Sequence, residues 1–369
     1  MNSNHDEASA RGSARLAFLC VSALLLVIPL SHAVEVSALR PGAPVDYGPL
    51  AFQPQTWRSN SQSTLLLPWV GSNVVFLTTQ GEYDSQVMAR WVGVLDQGWE
   101  LYADLTGQRP ALYKHLNGKA TIAAVPGFEY TCGAGCGYVG STGIELAMFY
   151  RWNYPALRRN SNAIPHYVFY EMGRNFYTFG SRHSCFTTGL AVFMRYVCMD
   201  TLQCQDDDRR TRQTIEAAEP MIRKSDLPFL RMFTNVDGLS EKQPRLKDVS
   251  GKAVNPSDQP VTYASAMLRL WRENGRNEWL GRFYRTLRKC PSISGQTRDG
   301  ALQQCWNWYV AASIGARRDL SSIFVDDWRL PLSPEARKTL RSMNWLDEEL
   351  TPEKVTQAVK AASPKLFVD

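Results

Sequence analysis

Between residues 84 and 106, Met88, Trp91, Leu95, Trp99 and Tyr102 recur at intervals of three and four. The spacing puts all five on one stripe of a helix, because 3.6 residues complete a turn. Burying such side chains is worth roughly 1.5–3 kcal/mol each, so the chain must supply a surface to cover the stripe. Asp84 is placed to cap the helix N-terminus, and Gly107 and Pro110 stop it. Covering material lies on either side. Leu65–Trp69, Asn73–Thr78 and Ala120–Val125 are short apolar runs of strand type, and Pro126-Gly127 closes the third.

Cys132–Gly143 is rich in Gly and Cys and reads as a pinned turn running into an extended edge. A helix is expected over 165–179, with Pro165 in its first turn, Phe169, Met172, Phe176 and Phe179 on its apolar face, and Gly180 ending it. Another is expected over 188–198, with Leu190, Phe193, Met194 and Val197 facing inward. Residues 235–262 are polar and rich in Pro, Gly and Lys, as in a long loop or subdomain boundary. Helices are expected over 262–288, 301–315, 334–342 and 352–362. The last two open on Ser333-Pro334-Glu335 and Thr351-Pro352-Glu353, each a hydroxyl cap, a proline and an acid. The class is α+β: a small mixed sheet with packed helices, followed by a mostly helical C-terminal lobe. A cleft between the two is the default binding site.

Arg11 and Arg15 precede the apolar run Leu16–Leu30, which ends in Ser31-His32-Ala33. That is the form of a secretory signal peptide cut after Ala33, and the run is short for a membrane span of ~20 apolar residues. An uncleaved N-terminal anchor is the alternative. Asp6, Glu7, Arg11 and Arg15 cancel, so cleavage leaves the net charge at +6. The excess is mild and dispersed, which argues against nucleic acid as a partner. Asp206-Asp207-Asp208-Arg209-Arg210 mixes signs and reads as a solvated loop. Export permits disulfides. Cys132 with Cys136, Cys198 with Cys204, and Cys290 with Cys305 are close in sequence and leave Cys185 over, although sequence does not fix connectivity.

Tyr170-Glu171-Met172-Gly173-Arg174-Asn175 resembles the metal-binding helix of the zincin metallopeptidases, whose signature is H-E-x-x-H. Two histidines four apart share one helix face and one Zn²⁺, and the Glu between them acts as general base on the bound water. In many zincins a second helix supplies a third ligand, Glu, at the head of E-G-L-A-E. Here the matching run is Thr188-Gly189-Leu190-Ala191-Val192-Phe193. Asp319-Leu320 through Phe324 and Trp328-Arg329-Leu330-Pro331-Leu332-Ser333 resemble the closing elements of the enhancin-like, mucin-degrading branch. The resemblance spans roughly 73–340 and implies a zincin-like fold with ligand positions at Tyr170, Arg174 and Thr188 and a general-base position at Glu171. Arg174 brings a fixed positive charge to a dication's place, and two such charges ~4 Å apart repel by several kcal/mol at an effective dielectric near 20.

The resemblance therefore implies a pseudo-peptidase with no expected cofactor, its cleft kept for an extracellular protein, peptide or glycan. Arg174 would take over the charge role of zinc and hold Glu171 ionised. Thr188 serves equally as a helix N-cap. An alternative keeps an enzyme with zinc on His166, Glu171 and His183. A His183–Cys185 nucleophile pair is weaker, since no third group to orient it is apparent. A structural cell-envelope protein is the third reading. The expected organisation is a signal peptide at 1–33, an N-terminal arm and first strands at 34–72, a zincin-like lobe at 73–180, a helical lobe at 181–345, and a C-terminal helix and tail at 346–369. The protein is expected to be secreted or periplasmic, with no membrane span after cleavage. Intact-mass measurement of the exported form should place its first residue at Val34; a chain that keeps residues 1–33 contradicts this.

Overall fold

In a computed structural model, residues 38–47, 64–179, 184–206, 208–224, 227–234, 259–293, 297–363 and 365–368 are described. They belong to one unit, Val36–Asp369. The expected signal peptide lies outside the described residues.

The apolar stripe forms helix α1 (Ser85–Thr106). Asp84 accepts from the amides of Gln86 and Val87, and Gly107 closes the helix at φ 65°, a left-handed conformation that glycine adopts without a Cβ penalty. Met88, Trp91, Leu95, Trp99 and Tyr102 are all buried. Their cover is a sheet of β1 (Val45–Asp46), β2 (Leu65–Val70), β3 (Val74–Thr78), β4 (His115–Leu116), β5 (Lys119–Ala124), β6 (Gly135–Gly137) and β7 (Ile144–Leu146). The order is β1-β2-β3-β5-β7-β6, with β4 paired to β5. β3, β5 and β7 run parallel, because α1 carries the chain back between β3 and β5; β2 and β6 flank them antiparallel. Alternate residues serve the two faces. Val74, Phe76, Ile122 and Ile144 meet the helices, whereas Val75, Leu77, Ala123 and Ala147 form a smaller cluster with Tyr47.

The chain continues through α2 (Tyr154–Arg159), β8 (Ala163–Ile164), α3 (His166–Asn175) and α4 (Ser184–Thr201). β9 (Gln205–Asp206), paired with β8, precedes α5 (Arg209–Arg223) and α6 (Phe229–Phe233). Then come α7 (Gln259–Glu273), α8 (Arg276–Leu287), α9 (Arg298–Ala316), α10 (Pro334–Ser342) and α11 (Pro352–Ala362). One apolar core joins the sheet to these helices, from Trp69 to Val359. The α+β arrangement of a small mixed sheet and many helices is thus present. The expected lobe boundary near residue 180 falls outside the described residues, and the core is continuous on both sides of it.

Several sequence expectations are corrected. α3 ends at Asn175, not 179, because the Arg174 carbonyl is taken by the amides of Gly140 and Tyr177. α4 begins four residues before Thr188, which therefore sits inside the helix and is not its cap. The single helix expected over 262–288 is two, broken where Gly275 and Arg276 take φ of 96° and 53°. The charged run near 208 opens α5: Asp208 accepts from the Thr211 amide, and Arg212 pairs with Asp200 and Glu216. Cys132 and Cys136 are joined, but Cys198, Cys204, Cys290 and Cys305 are thiols. Cys198 and Cys305 are packed in the core, while the Cys290 sulfur lies against the Thr286 and Asn307 carbonyls. Among the described residues no helix is long and apolar enough to cross a membrane.

Two glycines give opposite expectations. A Cβ on Gly173 would lie 2.8 Å from the Ala191 Cα, a backbone atom that cannot step aside, whereas one on Gly93 in α1 meets nothing within 4 Å. Gly173→Ala should cost roughly 1–3 kcal/mol by overpacking, and Gly93→Ala should stabilise by up to about 1 kcal/mol through helix propensity. Urea unfolding of the two variants checks both signs.

Candidate functional site between helix α3 and strand β6

Helix α3 reaches two neighbours across glycine. Gly173 admits the backbone of α4 at Ala191, and Gly137 admits the backbone of α3: a Cβ there would lie 2.4 Å from the Glu171 carbonyl oxygen. β6 is the last strand of the sheet path. Its Ala134 carbonyl and Tyr138 amide bond toward the β7 side, to Ala147 and Gly143. By the alternation of an antiparallel pair, the Gly137 N–H and C=O point the other way, off the edge.

Both groups are taken by α3. Glu171 Oε2 accepts the Gly137 N–H at 2.7 Å, and Arg174 Nε donates to the Gly137 carbonyl at 3.3 Å. Two side chains one helical turn apart thus make the pair of bonds that a residue of a neighbouring strand would make. Asn175 adds a third anchor, its side-chain amide donating to the Tyr138 and Gly143 carbonyls. Arg174 Nη1 also lies 3.5 Å from the Tyr170 hydroxyl.

Glu171 is 4% exposed. Burial pushes its carboxyl up to about 7, against the opposing pull of the Arg174 charge, the Gly137 N–H and the Arg195 charge, in that order. Desolvation outweighs the downward pull of the Arg174 guanidinium, whose own bonds go to the Gly137 carbonyl and the Tyr170 hydroxyl.

Farther along the α3–α4 contact, Arg195 is 8% exposed, and its Nη1 lies 3.1 Å from His166 Nδ1. Arginine only donates, so Nδ1 accepts and the ring proton sits on Nε2, which faces Asp208 Oδ2 at 3.8 Å. Burial and the Arg195 charge push the imidazole down to about 4 despite Asp206 and Asp208. The guanidinium lies 4.7 Å from the Tyr196 ring centroid and 5.9 Å from that of Tyr170.

These contacts bear directly on zinc. The first two ligand positions hold a half-buried tyrosine and a cation bonded to backbone, and Thr188 offers a neutral hydroxyl. Such a set does not fit a dication. Of the alternative trio, His166 is engaged by Arg195, Glu171 by Gly137, and His183 lies outside the described residues. Among the described residues no group of three or more His, Cys, Asp and Glu is arranged to hold a metal. Cys185 is fully buried and its thiol pushed well up, the reverse of what a nucleophile needs. His115 is exposed on β4.

Sequence reasoning missed Arg195, whose signal was a charge amid the apolar run of α4. It also missed Glu145, a charge between two core residues of β7. Glu145 is fully buried on the smaller face of the sheet, accepts the Tyr47 hydroxyl at 2.7 Å, and is raised to about 7 by burial.

No family model matches this sequence, and no curated protein matches it. Among solved structures it is similar to a functionally unknown conserved protein from Bacillus anthracis str. Ames, at 11% identity and a TM-score of 0.49. The match covers 80% of this chain and 55% of that one, so the chain spans about half the length of that neighbour.

Because Glu171 titrates near 7 in the fold and at 4.5 ordinarily, the folded state keeps a proton that the unfolded chain releases in that window. Its contribution to stability is therefore full below the ordinary value and falls as pH rises toward 7, by up to a few kcal/mol. Glu145 acts in the same sense, and His166 in the opposite sense between 6.5 and about 4. Glu171→Gln keeps an acceptor for Gly137 and removes only the Glu171 share. Relative to the parent, it should gain stability between about pH 5 and about pH 8. Urea unfolding at both values measures this; a pH-independent difference contradicts it.

Proposed function

We propose that this chain is an exported, non-hydrolytic protein on a zincin-type scaffold that binds an extracellular glycan. One observation carries the non-hydrolytic half: Glu171 and Arg174, at the expected general-base and second-ligand positions, bond the N–H and the C=O of Gly137 in β6. A general base must reach its proton within hydrogen-bond distance of a substrate or water. This carboxyl is buried and already occupied. A pKa near 7 is in the range that catalytic acids use, but here it follows from burial in a structural contact.

The same clamp narrows the ligand class. An exposed strand edge can take an extended peptide as a further strand, and at Gly137 that edge is covered by the chain's own helix. The broader class of extracellular protein, peptide or glycan is therefore narrowed toward glycan. Phe128 and Trp152, 47% and 40% exposed, meet edge to face at 5.7 Å between centroids. The Arg151 guanidinium lies 4.7 Å from the Trp152 ring centroid, and Glu129 is exposed next to Phe128. Exposed aromatic faces beside hydrogen-bonding groups suit sugar rings, which offer apolar C–H faces and a rim of hydroxyls.

The test has two arms. The purified mature protein should carry no stoichiometric zinc by elemental analysis and cleave no peptide or casein substrate. It should also retain glycans on an array, with retention lost in Trp152→Ala. One zinc per chain, with cleavage abolished by Glu171→Gln, overturns the reading in favour of a metallohydrolase; an empty array with no zinc favours a structural envelope protein.

A further inference from the structure

A recess of 410 Å³ lies in the helical half, lined by Arg282, Arg285, Arg288 and Lys289 of α8 and its C-terminal extension, Arg317 at the end of α9, and the segment Trp345–Glu348 with Leu350. It shares no residue with the Glu171 cluster. Its size falls within the range of small-molecule sites, roughly 300–1,000 Å³.

Five cations line this recess against two carboxylates, Asp347 and Glu348. Two of the five are neutralised in place: Arg282 pairs with Glu278, and Arg317 with Glu348 at 3.3 Å. Arg288 spends one donor on the Gly107 carbonyl at 2.7 Å, which fixes its guanidinium without neutralising it. Among the described residues, Arg285, Arg288 and Lys289 have no ion-pair partner, so three cations face the one remaining carboxylate, Asp347. Arg282 Nε is bonded to the Gly315 carbonyl at 2.7 Å, which fixes the wall between α8 and α9. The recess also has an apolar side, made by Ile314, Trp345, Leu346 and Leu350, with Leu346 69% exposed.

We propose that this recess binds a small oxyanion, the phosphate or sulfate group of a ligand whose organic portion rests on the Trp345–Leu346 wall. Guanidinium forks donate pairs of hydrogen bonds to tetrahedral oxyanions, and the lysine adds a point charge. The aliphatic and indole surface gives an ester an advantage over the free ion.

The experiment is calorimetric titration of the mature protein at fixed ionic strength with inorganic phosphate, inorganic sulfate and phenyl phosphate. Saturable binding of one anion per chain is expected, weakened about tenfold in Arg285→Gln and in Lys289→Gln. Arg276→Gln, outside the recess, should leave it unchanged. The Arg285 and Lys289 side chains are exposed and make no hydrogen bond among the described residues, so these variants should unfold at the parent's temperature, which is measured alongside. Tighter binding of phenyl phosphate assigns an ester; equal affinity assigns the free ion. The absence of saturable heat with all three anions overturns the proposal. So does undiminished affinity in folded Arg285→Gln and Lys289→Gln.

Discussion

The contact of α3 with the edge strand β6 depends on two atoms that are not there, the Cβ atoms of Gly137 and Gly173. Without them α3 sits against strand backbone on one side and helix backbone on the other, close enough for Glu171 and Arg174 to bracket a single residue, Gly137. Among the described residues the sheet edge at Gly137 is met by this bracket and not by another strand. An exposed edge invites pairing with other chains; here the two bonds that an intruding strand would make at Gly137 are already made. Burial of a carboxyl is the cost, and it pushes the Glu171 pKa up to about 7.

The helical half treats a buried acid differently. Glu219 is 3% exposed, yet its Oε1 accepts from Arg269 at 2.6 Å and from the Trp328 indole at 3.0 Å. Arg269 reaches Asp327 as well, at 2.7 Å. That network, with Arg223 also 3.4 Å from Glu219, joins α5, α7 and the turn before α10. Next to Glu171 the nearest cation spends its bonds on a carbonyl and a tyrosine. The contrast separates a charge network that stitches helices together from a desolvated carboxyl that holds a strand.

Much of the fold was legible because its signals are local. The stripe of α1, its aspartate cap and its terminal glycine lie within one stretch, as do the Ser333 and Thr351 caps of α10 and α11. The break between α7 and α8 was not legible, because Gly275 stands in a polar run that a helix also tolerates. α5 was missed because its charges are answered outside the helix, by Asp200 at the end of α4 and by Arg272 of α7. The clamp was least legible of all. Y-E-M-G-R-N marks α3 as a special helix, but what Glu171 touches is Gly137, 34 residues earlier and inside a Gly-rich stretch with no distinctive period. The contact that Glu171 and Arg174 make with Gly137 is set by packing between segments far apart in the chain, and no local pattern encodes it.

Hydrogen exchange at the Gly137 amide tests the clamp most directly, since that N–H points off the sheet edge and Glu171 is its acceptor. In the parent protein the amide should exchange far more slowly than a solvated edge amide, and Glu171→Ala should return it to the fast class while the Tyr138 amide, bonded to Gly143, stays protected. A Gly137 amide that exchanges at the open rate in the parent, or keeps its protection in Glu171→Ala, contradicts the account.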